Sequence, residues 1–337
     1  MSRFWDLGSQ DSRTLKIVEA CCLNRFTQTM QILEELNKHF SIPGALTFAL
    51  GNDGLISARV ATPACMAEIY LHGAHLTAWQ PAGHTPALFL SERSIFAPDK
   101  PIRGGVPIIF PWFGPRTATP ENPRTDGPSH GFARISLWQV AFAALAGDDL
   151  HLTLTLAPDE TARALGFDNF QLAYELVLGA ELRMRLTVAN HAETPLHFEE
   201  ALHTYLAVGD ATQVQIRGLV NTEFIDKTDG FQRKRQADEV LMLTKETDRP
   251  YLNTAATVTL DDPILHRRIF VAKTNSLTTV VWNPWVEVSA KLPDMTPDSW
   301  RTMACIETAN AAENAITLAP HQAHTMEAHL RIEELSQ

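Results

Sequence analysis

The segment Lys100–Pro107 combines two cationic side chains with a stiff turn. Lys100 and Arg103 flank a proline, and Arg103 is followed by Gly104 and Gly105. A guanidinium held in this way suits bidentate binding of a phosphate or a carboxylate, and paired glycines let a ligand approach the backbone closely. A structural turn with solvated charges explains the same spacing equally well.

A second polar cluster ends a long Pro-rich loop directly before a strand-like segment. Ser129, His130, Gly131 and Arg134 lie within six consecutive positions. Loops of this length are frequently functional, so the cluster is a candidate for substrate binding. The alternative is a tight turn with a capping histidine.

Two further segments place titratable groups within apolar, strand-like runs. Ala201, His203 and Tyr205 share one face on period-two alternation, so His203 could act as an acid with a pKa tuned near neutrality. Glu307 follows the apolar residues Met303–Ile306, and a semi-buried carboxylate has the raised pKa that a general base needs. A hydrogen-bonded core histidine and a solvated strand-end glutamate are the plain alternatives.

The elements that must position these groups are predicted to be β-strands. From about residue 45 the hydrophobic residues alternate with polar ones, as in Leu152–Leu156, Leu182–Val188 and Met326–Ile332. Turn sequences separate the runs, and no βαβ alternation appears. We therefore predict an all-β protein, a large antiparallel β-sandwich in a single domain over residues 30–337.

The N-terminal part of the chain has a different pattern. Leu33, Leu36 and Phe40 could form one face of a short helix that ends before Pro43. Residues 1–29 show no clear period, so we predict an extension that is loosely ordered.

Charge and cysteine content exclude several classes of function. The formal net charge is −11, which disfavours binding to nucleic acid or to anionic membranes, so an anionic ligand would need a local basic pocket. The four cysteines match no zinc or redox spacing, and no apolar run reaches the length of a membrane span. These features favour the cytoplasm.

Metal and nucleotide motifs are also missing from the sequence. There is no G-x-G-x-x-G, P-loop, H-E-x-x-H or G-x-S-x-G motif. His72 and His75 lie three positions apart, and in an extended segment they would face opposite sides, which disfavours a shared metal. A cupin-like metalloenzyme, suggested by the 13 histidines, would need clustered His ligands that the sequence does not show.

In order and spacing, the motifs together resemble the aldose 1-epimerase superfamily, and most of all its branch of hexose-6-phosphate mutarotases, the glucose-6-phosphate 1-epimerases. The resemblance extends over roughly residues 35–333. The matching segments are Gly73–Leu76, Lys100–Pro107, Pro111–Pro115, His130–Arg134, Ala201–Tyr205, Phe224–Lys227, Thr247–Arg249, Trp282–Pro284 and Ile306–Thr308.

The resemblance implies a β-supersandwich (galactose mutarotase-like) with its site on a concave sheet face. It implies that His203 is the general acid and Glu307 the general base. Substrate would be bound by Arg103, Ser129, His130, Arg134 and Asp248, with Arg103 on the phosphate and Ser129 standing where relatives often have Gln.

The implied reaction interconverts the α and β anomers of glucose-6-phosphate and related hexose 6-phosphates, without a metal or other cofactor. The expected partner is a small sugar phosphate, with no nucleic acid or membrane, and nothing demands more than a monomer. Two alternatives remain: a mutarotase of unphosphorylated aldoses, and a sugar-binding β-sandwich module without turnover.

Overall fold

A computed structural model of the protein describes residues 27–118 and 123–335. Residues 27–40 are helical (α1), and Leu33, Leu36 and Phe40 pack against the core, as predicted. Most of the predicted N-terminal extension, residues 1–26, lies outside the described part, and the domain boundary at residue 30 stays a prediction. No helix in the described ranges is long and apolar enough to cross a membrane.

After α1 the described residues form strands β1–β23 and two short helices, α2 and α3. In chain order they are β1 (Leu46–Leu50), β2 (Ile56–Ala61), β3 (Cys65–Tyr70), β4 (His75–Pro81), β5 (Ile108–Ile109), β6 (Gln139–Ala146), β7 (Asp149–Leu156), α2 (Glu160–Ala164), β8 (Phe170–Leu178), β9 (Leu182–Asn190), β10 (Leu196–Phe198), β11 (Glu200–Leu202), β12 (Tyr205–Ala207), β13 (Gln215–Arg217), β14 (Glu223–Asp226), β15 (Gln232–Arg235), β16 (Val240–Met242), β17 (Thr247–Tyr251), β18 (Val258–Asp262), β19 (Arg267–Thr274), β20 (Thr278–Asn283), α3 (Trp285–Ser289), β21 (Met303–Asn310), β22 (Ile316–Leu318) and β23 (Ala323–Glu334).

Two large antiparallel sheets dominate the fold. The nine-stranded sheet has the order β16-β13-β18-β19-β23-β9-β8-β7-β6. The eight-stranded sheet has the order β15-β14-β17-β20-β21-β11-β5, and β12 pairs with β21 as well. Strands β1–β4 form a separate sheet, and β10 pairs with β22. The predicted all-β, antiparallel class is confirmed.

The main core is built by the alternation seen in the sequence. In β7, β8 and β9 every second residue is buried, including Leu154, Leu176 and Leu186. These side chains belong to one cluster with Val281 and Ile306 of the eight-stranded sheet. Each fully buried aliphatic side chain contributes about 1.5–3 kcal/mol, so this cluster supplies much of the stability of the sandwich.

The opposite face of the eight-stranded sheet carries polar and aromatic groups. Asp248 of β17 pairs with Trp282 of β20, and Trp282 pairs with Cys305 of β21, which also pairs with Tyr205 of β12. Residues paired across strands project to the same face, so these four side chains form one row. Glu307 lies two residues beyond Cys305 and therefore projects to the same face.

The loop that carries His130 is held by a close backbone contact. Gly131 has a φ of +71°, and a Cβ at this position would lie 2.0 Å from the backbone oxygen of Phe110. Gly147, in the turn between β6 and β7, has a φ of +64°, and nothing lies within 4 Å of its Cβ direction. A side chain would be strained by the positive φ at both positions, but it would clash with a neighbouring atom only at Gly131.

We predict that Gly131→Ala lowers the free energy of unfolding by more than about 3 kcal/mol, whereas Gly147→Ala costs only about 1 kcal/mol. The difference arises because alanine at 131 must displace the backbone of Phe110, which directly follows β5. Urea unfolding of the two variants measures it, and equal losses would contradict the contact.

Candidate active site

The side chains of His203 and Glu307 meet on the polar face of the eight-stranded sheet. Nε2 of His203 lies 3.4 Å from Oε1 of Glu307, and Glu307 is 1% exposed. Glu307 lies in the middle of β21 and not at the end of a strand, so the solvated alternative is wrong. His203 lies in the break between β11 and β12, where its backbone N–H donates to the Pro107 carbonyl.

Aromatic rings fix the orientation of the His203 imidazole. The Tyr205 ring stacks on it with a centroid distance of 4.7 Å and an interplanar angle of 9°. Trp282 approaches it edge to face at 5.9 Å, and the His130 ring lies 5.8 Å away. His203 Nδ1 is buried without a hydrogen-bond partner, so the ring is positioned largely by packing.

Arg103 is tied into this cluster by a carboxylate and a phenol. Its Nε and one terminal nitrogen lie 3.1 Å from Oδ2 of Asp294, and the other terminal nitrogen donates to the Tyr205 hydroxyl at 3.0 Å. The charge of Arg103 is therefore already compensated by Asp294. No sequence pattern pointed to Asp294, which lies in an irregular segment between α3 and β21.

The glycines after Arg103 serve a different purpose from the one predicted. A Cβ on Gly104 would lie 2.4 Å from the Phe89 carbonyl oxygen, and one on Gly105 would lie 2.3 Å from that of Leu76. Both residues have a positive φ. The space that they provide is filled by the protein's own backbone, so the expected close approach of a ligand to these glycines is wrong.

Arg134 differs from Arg103 in its charge balance. One terminal nitrogen donates to the Ser129 carbonyl at 2.6 Å, and its buried Nε has no hydrogen-bond partner. No carboxylate of the described residues forms an ion pair with it. Burial lowers the pKa of Arg134 to about 10, and the charge of Arg103 adds to the effect. Arg134 is therefore a cation without a counterion in the described part of the chain.

His130 and Ser129 sit at the rim of the same cluster. His130 has a φ of +64°, its Nδ1 accepts from the N–H of Gly114, and its ring packs edge to face on Phe113. Burial lowers the pKa of His130 well below 6.5. Ser129 is exposed, and its backbone carbonyl, held by Arg134, is its link to the cluster.

Asp248 lies at the other side of the site with a lysine partner. Nζ of Lys227 is 3.4 Å from Oδ1 of Asp248 and sits above the Phe113 ring at 4.7 Å. Burial raises the pKa of Asp248, and the ammonium group of Lys227 opposes this shift. The structure thus brings together His203, Glu307, Arg103, Arg134, His130 and Asp248, and it adds Lys227, Tyr205, Trp282 and Asp294.

Burial controls the protonation of the central pair. It lowers the pKa of His203 well below 6.5, and the charges of His130, Arg134 and Arg103 act in the same direction. It raises the pKa of Glu307 well above 4.5, partly opposed by Lys227. Both shifts favour neutral His203 beside protonated Glu307.

The two histidines considered as a metal pair, His72 and His75, each hydrogen-bond a backbone carbonyl. His72 Nε2 contacts the Lys100 carbonyl and His75 Nε2 contacts the Gly104 carbonyl, each at 2.7 Å. Among residues 27–118 and 123–335, no group of three His, Cys, Asp or Glu side chains is arranged to hold a metal ion.

We predict that the His203 imidazole stays neutral at pH 6.5 in the protein without substrate, because burial disfavours its charge. His324, by contrast, has a raised pKa because it hydrogen-bonds Glu200, and its ring should be protonated at the same pH. Heteronuclear NMR titration of the two rings, assigned with alanine variants, measures this difference. A protonated His203 ring at pH 6.5 would contradict the assignment.

Two curated proteins are similar to this chain in sequence. A curated protein of Escherichia coli K12, named "Putative glucose-6-phosphate 1-epimerase", is 34% identical over 78% of this chain and 85% of its own length. A Salmonella typhimurium protein of the same name is 33% identical over 86% of this chain and 94% of its own.

Solved structures show the same fold. The crystal structure of a "putative mutarotase (YeaD)" from Salmonella typhimurium superposes with a TM-score of 0.80 at 29% identity, covering 88% of this chain and 96% of that one. The architecture is thus the predicted galactose mutarotase-like β-supersandwich. The family model for aldose 1-epimerase matches residues 58–331. The chain belongs to the aldose 1-epimerase family, and it is an isomerase.

Proposed function

We propose that the protein is a hexose-6-phosphate mutarotase that interconverts the α and β anomers of glucose-6-phosphate and of related hexose 6-phosphates. One observation carries the proposal: a buried His203–Glu307 pair lies beside two guanidinium groups, of which one has no counterion among the residues that the structure describes. The relatives named for glucose-6-phosphate 1-epimerase support the same substrate.

In this mechanism Glu307 and His203 exchange protons with the two oxygens of the hemiacetal. The Glu307 carboxylate removes the proton of the anomeric hydroxyl while the His203 imidazolium gives a proton to the ring oxygen, and the C1–O5 bond breaks. Rotation about the C1–C2 bond turns the other face of the aldehyde toward the C5 hydroxyl. As the ring closes in the other anomer, His203 takes back a proton from the C5 hydroxyl and Glu307 gives its proton to the carbonyl oxygen.

The proton count of the pair stays constant through ring opening. An imidazolium with a carboxylate and a neutral imidazole with a carboxylic acid contain the same number of protons. Ring opening converts the first form into the second, which is the form that burial favours. The buried environment therefore stabilises the protein in the open-chain intermediate.

A bound phosphate would help to prepare the reactive form. Arg134 and Arg103 are among the charges that lower the pKa of His203. An anion on these guanidinium groups offsets their charge, so it raises the pKa of His203 and favours transfer of a proton from Glu307 to the imidazole. Phosphate recognition and acid–base chemistry are coupled in this way.

We assign the phosphate chiefly to Arg134, with Arg103 as its neighbour. Arg134 has a buried Nε without a partner, whereas Arg103 already binds Asp294. The remaining polar groups suit sugar hydroxyls: Asp248 as an acceptor, and His130 with its free Nε2. Ser129 contributes by holding Arg134 through its carbonyl.

A binding module without turnover fits these features less well. Burying a carboxyl group and an imidazole with unpartnered Glu307 Oε2 and His203 Nδ1 costs stability. A site that only binds sugar gains nothing from an unsatisfied acid and base. Unphosphorylated aldoses are disfavoured as substrates because they offer Arg134 no anion.

We extend the proposal to a monomer in the cytoplasm. The acid–base pair and the cationic groups of the proposed site are complete within this chain, so the proposed reaction requires no residue from a second copy. Cys65 and Cys305 are buried free thiols, which suits a reducing compartment.

We predict that His203→Ala and Glu307→Ala each lower the rate of α/β exchange of glucose-6-phosphate by about 10²–10⁴-fold, because each removes one proton transfer. Polarimetry or NMR exchange spectroscopy measures the rate. The matched control is Glu200→Gln, which alters another buried His–Glu contact, with His324, but lies away from the proposed site. Near wild-type rates in either alanine variant would refute the roles.

We also predict that Arg134→Ala raises KM for glucose-6-phosphate about 10–100-fold while changing the kinetics with glucose little, because a hydrogen bond to a charged group contributes about 1.5–3 kcal/mol. Arg103→Ala should also weaken binding of the sugar phosphate. It should lower kcat as well, because it removes the hydrogen bond that holds Tyr205 against the His203 ring.

Arg185→Ala, on the exposed side of β9, controls for the loss of one positive charge. Losses of the same size for glucose and glucose-6-phosphate in both site variants would argue against a phosphate subsite.

A further inference from the structure

The two arginines of the proposed phosphate site lie on separate, irregular segments. Arg103 precedes β5 in a loop, and Arg134 lies in a single 3₁₀ turn, Ala133–Ile135. Neither side chain is anchored by a long strand. The two segments meet directly where the N–H groups of Phe132 and Ala133 donate to the Phe110 carbonyl, seven residues after Arg103. Closer to Arg103, a third element contacts both segments.

The turn between β3 and β4 contacts the Arg103 segment at both of its ends. His72 Nε2 lies 2.7 Å from the Lys100 carbonyl oxygen, three residues before Arg103, and His75 Nε2 lies 2.7 Å from the Gly104 carbonyl oxygen, directly after it. The N–H of Val106 also donates to the carbonyl of Leu76. Arg103 is thus bracketed by two imidazole contacts.

The same turn contacts the Arg134 segment through its backbone. The N–H of Gly73 donates to the carbonyl of Ser136 at 2.7 Å. A Cβ on Gly73 would lie 2.5 Å from the carbonyl oxygen of Arg134, so the two backbones are in close contact. Trp138 extends this contact, since its backbone N–H donates to the Leu71 carbonyl.

We propose that residues 72–75 act as a bracket that sets the spacing of the Arg103 and Arg134 guanidinium groups for one anion, with His75 as its positioning residue. This inference rests on the proposed function, and it names a residue that does not itself touch the substrate.

The chemistry of His75 suits a permanent contact. A carbonyl oxygen only accepts hydrogen bonds, so Nε2 carries the proton, and the unprotonated Nδ1 is buried without a partner. Burial lowers the pKa of His75 to about 3, so the ring is neutral throughout the physiological range. Among the described residues, the one hydrogen bond of the His75 ring is therefore the bond to the segment of Arg103.

The test compares two substitutions of His75 with a control on the same strand. His75→Met introduces an apolar side chain of similar length and removes the Nε2–H donor. His75→Gln offers an amide N–H in place of Nε2–H. Thr77→Val is the control, because buried Thr77 also donates to a backbone carbonyl, that of Glu68, which belongs to β3 and to neither arginine segment.

We expect His75→Met to raise both KM for glucose-6-phosphate and the inhibition constant of inorganic phosphate roughly ten-fold, with kcat changed less than about three-fold. His75→Gln should restore both constants to within about two-fold of wild type. Thr77→Val should leave both unchanged, even if its melting temperature falls as far as that of His75→Met.

Several outcomes would overturn the bracket. If His75→Met and Thr77→Val have the same inhibition constant for inorganic phosphate, His75 has a packing role only. The proposed function would still stand in that case, provided that phosphate inhibits the wild type. A wild-type protein that phosphate does not inhibit would overturn both. If His75→Met does not fold, His72→Met, which removes the contact to Lys100, decides by the same comparison.

Discussion

The contact between His203 and Glu307 is the constraint on which the site depends. An imidazole and a carboxyl group are held 3.4 Å apart in a place where both lose their hydration. Burial disfavours the charge on each, and the pairing of β21 with β11 and β12 nevertheless holds the two side chains next to each other. Chemistry that moves one proton between two oxygens makes use of that balance, since both forms of the pair contain the same number of protons.

The distribution of charge reconciles an acidic protein with the anionic substrate proposed for it. The chain has a net charge of −11, yet Arg103, Arg134 and Lys227 converge on one face of one sheet. Asp294 pairs with Arg103 and Asp248 with Lys227, whereas Arg134 pairs with no carboxylate of the described residues. A field of this kind is local, and it suits one small phosphate group while the remaining surface repels polyanions.

Much of the fold could be predicted from the sequence, and the site only in part. Period-two alternation identifies strands and places His203 and Tyr205 on one face, because both are local properties of the chain. The family motifs name the two arginines, but they do not reveal that Asp294 neutralises one of them, because Asp294 lies in a segment without periodicity. The role of Gly104 and Gly105 and the location of the proton on the His203–Glu307 pair depend on packing between distant segments, which no local pattern records.

The burial of β21 on both faces has a consequence for how the protein can fail. Ile306 belongs to the core between the two large sheets, and Glu307, its neighbour, belongs to the site. A slip of one residue in the pairing of β21 with β20 would exchange them, putting a carboxyl group into the hydrocarbon core and an isoleucine against the sugar. If Glu307 is the proposed base, catalysis requires the correct strand register, so turnover of substrate would report directly that this central strand has paired correctly.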